Sequence, residues 1–140
     1  MLLQGRYFAS QPVPASYASV NYWGVAAISF NNAKAKKQLG KWIFKPVGGT
    51  QSLTDDEAKT KGADFFFDDL RRCVKAETVA FDFNPQLAET GDKTDSATVP
   101  LPEGRKKVLL GRLTIKAVSA DATGRCVAIT FNPVVLPKGI

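Results

Sequence analysis

Histidine is absent from all 140 residues. That absence excludes a Ser-His or Cys-His nucleophile pair, a His-ligated metal or haem, and an imidazole general base within the chain. Chemistry carried here falls to carboxylates, Tyr or Lys, or to groups outside the chain. Cysteine is scarce too: Cys73 and Cys126 stand isolated. Cys73 falls on the apolar side of an expected helix and Cys126 opens an expected strand, so two buried thiols are expected rather than a disulfide. Two thiols without histidine do not make a four-ligand zinc site. No apolar run approaches the ~18 residues of a transmembrane helix. The opening MLLQGRYFAS lacks the basic lead and sustained apolar stretch of a complete signal peptide. A soluble chain is expected, cytoplasmic or periplasmic. Gly48-Gly49 is followed by no Gly-Lys-Ser/Thr, so it is not a phosphate loop.

What is present is ordinary for a globular chain: 44% hydrophobic and 23% charged residues. One domain is expected at this length. The net charge is +6, much of it in Lys34, Lys36, Lys37, Lys41 and Lys45, with a second patch at Arg105, Lys106 and Lys107. A basic balance permits nucleic-acid binding. No aromatics interleave with these lysines as a single-strand binder needs. A solvated hairpin tip and a charged loop are expected instead, with neither nucleic acid nor membrane as partner.

Along the chain, residues 1–15 read as an irregular lead-in. The run 16–30, "SYASVNYWGVAAISF", is rich in β-formers, and Gly24 in its middle suggests a bulge or a close backbone approach. Asn31-Asn32 begins a turn and 38–45, "QLGKWIFK", returns as a second strand, giving a hairpin over 16–46. Thr54-Asp-Asp-Glu57 has the capping-box form and opens a short helix that Gly62 breaks. A second helix is expected over 64–75, with Phe66, Leu70, Cys73 and Val74 on one face. The helical region as a whole spans 54–75. Strands return over 77–133. Val79, Phe81, Phe83 and Leu87 alternate with Ala80, Asp82, Asn84 and Ala88, and Pro85 marks a bulge or an edge. A polar loop over 89–107 is long enough to suggest a functional role. Strands over 108–119 and 126–131 close the reading. The fold class is α+β: an antiparallel sheet with two helices in one crossover.

Four stretches, taken in order, resemble the haem catalase superfamily, especially its small catalase-related peroxidase branch. "PASYASVNYWGVAAISFNNAKAK" is similar to the family's Y-x-G-x-x-x-F strand and N-A-x-G-like turn. "GKWIFKPVGGTQSLTDDEA" resembles the next strand and the L-[ST]-D-E-E-A helix start. "FDFNPQLAETGDKTDSATVPLPEGRKKVLLGRLTI" resembles V-Q-L-A-E-x-G-D-x-T-x-D, the later W-P and a G-x-L-x-I strand. "FNPVVLPKGI" is similar to F-x-P-x-N-L-x-P-G-I.

The resemblance implies half of an eight-stranded antiparallel β-barrel that encloses haem, matched here over its second half only. It implies that the distal His and Asn and the proximal Tyr with its Arg come from outside these residues. Carried over position by position, it places Val25, Ala26, Ala97 and Pro133 as haem-wall contacts. Leu101 stands where the family has Trp, Val135 where Asn is usual and Lys138 where Pro is usual. No catalytic residue and no metal ligand is assigned within the chain. Tyr7, Tyr17 and Tyr22 lack the family's helix-plus-Arg setting. The activity implied is a parent enzyme that decomposes hydrogen peroxide or an organic hydroperoxide, of which this chain is a part that is inactive alone. A different reading is a non-catalytic, self-associating β-sheet domain without haem. Either leads to the expectation of a homo-oligomer, or of association with the other barrel half.

Overall fold

The computed structural model describes residues 11–34, 36–76 and 79–119. Among these residues seven antiparallel strands fall into two sheets: β1 (Tyr22–Trp23), β2 (Ile28–Asn31), β3 (Lys37–Lys41), β4 (Ile43–Pro46), β5 (Val79–Phe83), β6 (Gln86–Leu87) and β7 (Gly111–Ile115). One sheet has the order β1-β4-β5-β7 and the other β2-β3-β6. Two helices, α1 (Asp55–Lys59) and α2 (Phe65–Ala76), fill the crossover from β4 to β5. Among the described residues no helix is long and apolar enough to cross a membrane.

The hairpin read from the sequence is present, but each of its arms is divided. Residues 17–19 are not strand. Ser16 accepts a hydrogen bond from the Ala18 amide, and a turn of 3₁₀-helix forms over Tyr17–Ser19. This is the local side-chain competition that Ser offers to extended backbone. The first arm then breaks between Trp23 and Ile28 and the second at Trp42. Gly24 and Trp42 meet at this break: the Gly24 amide donates to the Trp42 carbonyl at 2.8 Å. A Cβ on Gly24 would overlap the Trp42 indole, so the close approach expected there is real. The third arm breaks at Asn84-Pro85, where the Asn84 amide donates to the Ile43 carbonyl at 2.7 Å and Pro85 is fully buried. All three arms pass from one sheet to the other at the same corner, as sheets do where bends let strands switch layers. On the second sheet, Gly40 allows the Gln86 carbonyl oxygen to lie 2.5 Å from where a Cβ would stand.

The helices follow the sequence closely. The Thr54 hydroxyl accepts from the Glu57 amide at 3.3 Å, and the Glu57 carboxylate accepts from the Thr54 amide at 2.8 Å. That reciprocal cap starts α1, and the helix ends before Gly62. On α2, Leu70, Cys73 and Val74 pack against Val79 and Phe81 of β5, with Tyr22, Phe44 and Ile115 around them. Phe66 stacks on Tyr17 with ring centroids 4.7 Å apart, while Phe67 is largely exposed. Cys126 and the strand expected over 126–131 lie outside the described residues.

Candidate functional site

Two adjacent residues at the sheet corner hold the two segments that the sequence comparison by motif singles out. Trp42 carries Gly24 through the hydrogen bond and ring contact just described. Lys41, the last residue of β3, sends its ammonium Nζ to the Ser96 carbonyl at 3.2 Å and the Val99 carbonyl at 2.8 Å. Lys41 is only 7% exposed. It is not part of a solvated hairpin tip, as its place among the lysines suggests. Its neighbours Lys34, Lys36 and Lys37 are exposed as expected.

Val25 and Ala26 lie in the bend between β1 and β2, and both are exposed, Val25 to 64%. Ala97 is also exposed, in the loop between Ser96 and Val99 that Lys41 holds. The structure therefore brings Val25, Ala26 and Ala97 to supports one residue apart. Pro133, Val135 and Lys138 lie outside the described residues.

The long loop after β6 is closed by charge. Arg105 meets both Asp92 and Glu89, the latter through Nη1 to Oε2 at 2.8 Å. Its guanidinium, together with the Glu89 amide, lowers the Asp92 carboxyl to about 2. Leu101, at the Trp position of the family motif, is buried, and Gln86 donates to the neighbouring Pro102 carbonyl at 2.7 Å. An aliphatic anchor thus fills the place of an aromatic one.

Beside Trp42 runs an apolar groove of about 390 Å³, lined by residues that include Tyr22, Trp42, Phe44, Phe81 and Leu113. Such volume and lining suit a mostly apolar ligand. The donor set is another matter. Among the described residues there is no cluster of three His, Cys, Asp or Glu side chains that could hold a metal ion. The Tyr22 hydroxyl donates to the Tyr17 carbonyl at 2.7 Å. Burial, and then the nearby Tyr17, raise its pKa above the ordinary 10, which disfavours a phenolate. Val25, Ala26 and Ala97 offer exposed apolar side chains and no donor atoms. Asp55, Asp56 and Glu57 are exposed in the first turn of α1, and Asp82 pairs with Arg112 across β5 and β7 at 2.7 Å. These carboxylates are accounted for by capping and cross-strand pairing.

Lys41 is the residue that sequence reasoning missed. The signal available was its place in "LGKWIF", a lysine one residue after a strand glycine and within an apolar run. Its acceptors lie 55 and 58 residues away, beyond any local pattern.

No family model matches the chain. In sequence it is 34% identical to a catalase-related peroxidase of Synechococcus elongatus over 137 residues, 98% of this chain and 40% of that protein. It is 27% identical over 130 residues to a catalase-related peroxidase of Mycolicibacterium paratuberculosis, covering 91% of this chain and 41% of the relative. The chain thus spans about two fifths of the curated relatives it matches. In fold it is similar to a fungal catalase (TM-score 0.68, 16% identity) and to catalase A from Saccharomyces cerevisiae (TM-score 0.69, 16% identity), each over 77% of this chain and 24% of the other. The antiparallel sheets with two inserted helices are therefore a catalase-like fold.

Proposed function

We propose that this chain, a sequence relative of the catalase-related peroxidases, supplies part of an antiparallel barrel wall around haem in a protein that decomposes hydrogen peroxide or an organic hydroperoxide. The observation that carries this reading is the sheet corner, where the adjacent residues Trp42 and Lys41 hold the bend with Val25 and Ala26 and the loop with Ala97. In such a protein the haem supplies the oxidation chemistry. Val25, Ala26 and Ala97 line its edge and keep water from it, and Pro133 joins them by resemblance alone. The axial ligand and the proton-handling groups come from the parent's other segments, in keeping with a chain that has no histidine. The test is to titrate the purified protein with hemin and follow the Soret band. A shifted, intensified band that saturates at one hemin per chain supports the reading. A titration indistinguishable from hemin in buffer sinks it.

A second reading has its own observation. Leu109, Leu110 and Leu113 are each more than half exposed, and β7 pairs only with β5 among the described residues. An apolar stretch on an edge strand invites pairing with another chain. On this reading the chain self-associates, or associates with the parent's remaining barrel strands. Sedimentation velocity distinguishes the cases. A monomer at tens of micromolar counts against self-association.

A further inference from the structure

Residues 93–101 form the stretch of the long loop with the fewest fixed points. Among the described residues they make no backbone–backbone hydrogen bond. Ser96 and Thr98 bond to each other, at 3.1 Å between hydroxyls. The hydrogen bonds that reach this stretch from the sheets are the two from Lys41. Leu101 packs one end apolar-fashion, and the Arg105–Asp92 clasp lies beyond the stretch on both sides. Burying an ammonium is costly unless its donors are used. Among the described residues Lys41 makes no ion pair, so the return for its burial lies in those two carbonyls. A methionine of similar length would fill the space without that cost. The presence of a charge therefore points to the hydrogen bonds as its purpose.

Resting on the haem-wall reading, we propose that Lys41 is a positioning residue. Its ammonium latches 96–99, and with it Ala97, at a fixed offset from the bend that carries Val25 and Ala26. Trp42, the next residue, fixes that bend through Gly24. The Lys41-Trp42 dipeptide thereby makes one rigid surface from two segments about 70 residues apart in sequence.

The experiment compares the unmodified chain with Lys41→Met and Lys41→Arg. Amide ¹⁵N relaxation of the hemin-free protein reads the latch, and hemin titration reads its consequence. In the unmodified chain and in Lys41→Arg, order parameters at 96–99 should be close to the ~0.85 of rigid backbone; in Lys41→Met they should fall below ~0.6. Strand β5 and helix α2 should keep their values in all three. Hemin affinity should drop ~10–100-fold in Lys41→Met, the scale on which supporting partners act at metal sites, and return in Lys41→Arg. The proposal is overturned by a mobile 96–99 in the unmodified chain, which needs no variant to fold. It is equally overturned if Lys41→Met leaves the loop rigid, or loosens it with hemin affinity unchanged. If the unmodified chain binds no hemin, the haem reading and the wall role of Lys41 fall together, while the order parameters still decide whether the latch exists.

Discussion

Arg105 grips Asp92 through two parallel hydrogen bonds, Nε to Oδ2 and Nη2 to Oδ1, both 2.8 Å long. Asp92 Oδ2 also accepts the Glu89 amide at 2.8 Å. Charge-assisted, bidentate pairs of this kind are the strong ones. This pair closes the loop that carries Ala97 at its two ends.

Arg105 above all, then the Glu89 amide, lowers Asp92 from the ordinary 3.8 to about 2. A carboxyl depressed on folding contributes stability that is present above the unfolded value and is lost as pH falls through the folded one. The loop clasp should therefore hold down to about pH 4 and loosen between pH 4 and 2. Carbon-detected NMR titration of the Asp92 carboxyl should give a midpoint near 2. Arg105→Ala should move it up toward 3.8. A midpoint that stays put in Arg105→Ala would show that the guanidinium is not the cause.

Gly24→Ala should destabilise the fold by about 1–3 kcal/mol, the usual range for forcing extra volume into a packed site. The cause is overlap of the new methyl with the Trp42 indole. Combining it with Trp42→Leu should cost less than the sum of the two single changes. Urea unfolding of the four proteins measures this coupling, and strict additivity would contradict it.

Phe81 and Leu113 face each other across β5 and β7, yet Phe81 is 4% exposed and Leu113 is 51% exposed. Phe81→Ala should cost about 3–5 kcal/mol through the cavity it opens against Cys73 and Val79. Leu113→Ala should fall within about 0.5 kcal/mol. Thermal melts of the two variants are enough to tell. Equal losses would mean that Leu113 is covered in solution, which would favour association through β7.

At the alkaline end the exposed part of the Tyr22 ring matters less than its hydroxyl. Burial, then the neighbouring Tyr17, raise its pKa above 10. For an acid raised on folding, the contribution is present below the unfolded value and is lost as pH rises through the folded one. Stability should decline above about pH 10 as Tyr22 ionises and its bond to the Tyr17 carbonyl fails. Tyr22→Phe should cost about 1 kcal/mol at neutral pH and remove one phenolate step above pH 10 from the ultraviolet titration. A titration with all its steps still present would assign that step to another tyrosine.

Features decided within a few residues were legible in the sequence. The capping box at Thr54 and Glu57, the α2 face of Leu70, Cys73 and Val74, and the strand through Val79 and Phe81 each depend on caps or periods. These act over one or two turns of chain, so the residues that cause them sit beside one another. Resemblance added Val25, Ala26 and Ala97, which composition and spacing do not distinguish from turn residues.

Tertiary structure alone decided where the arms bend, which apolar residues stay exposed and which lysine is buried. The hairpin pattern does not say that both arms break at one corner, because that depends on the Trp42 indole meeting Gly24 and on Asn84 reaching Ile43. A strand over 108–119 includes Leu113, but the pattern cannot say whether anything covers it. Lys41 reads as one of several lysines near a turn, and the sequence says nothing local against that. A buried ammonium is stable only where acceptors surround it, and those of Lys41 are carbonyls 55 and 58 residues along the chain.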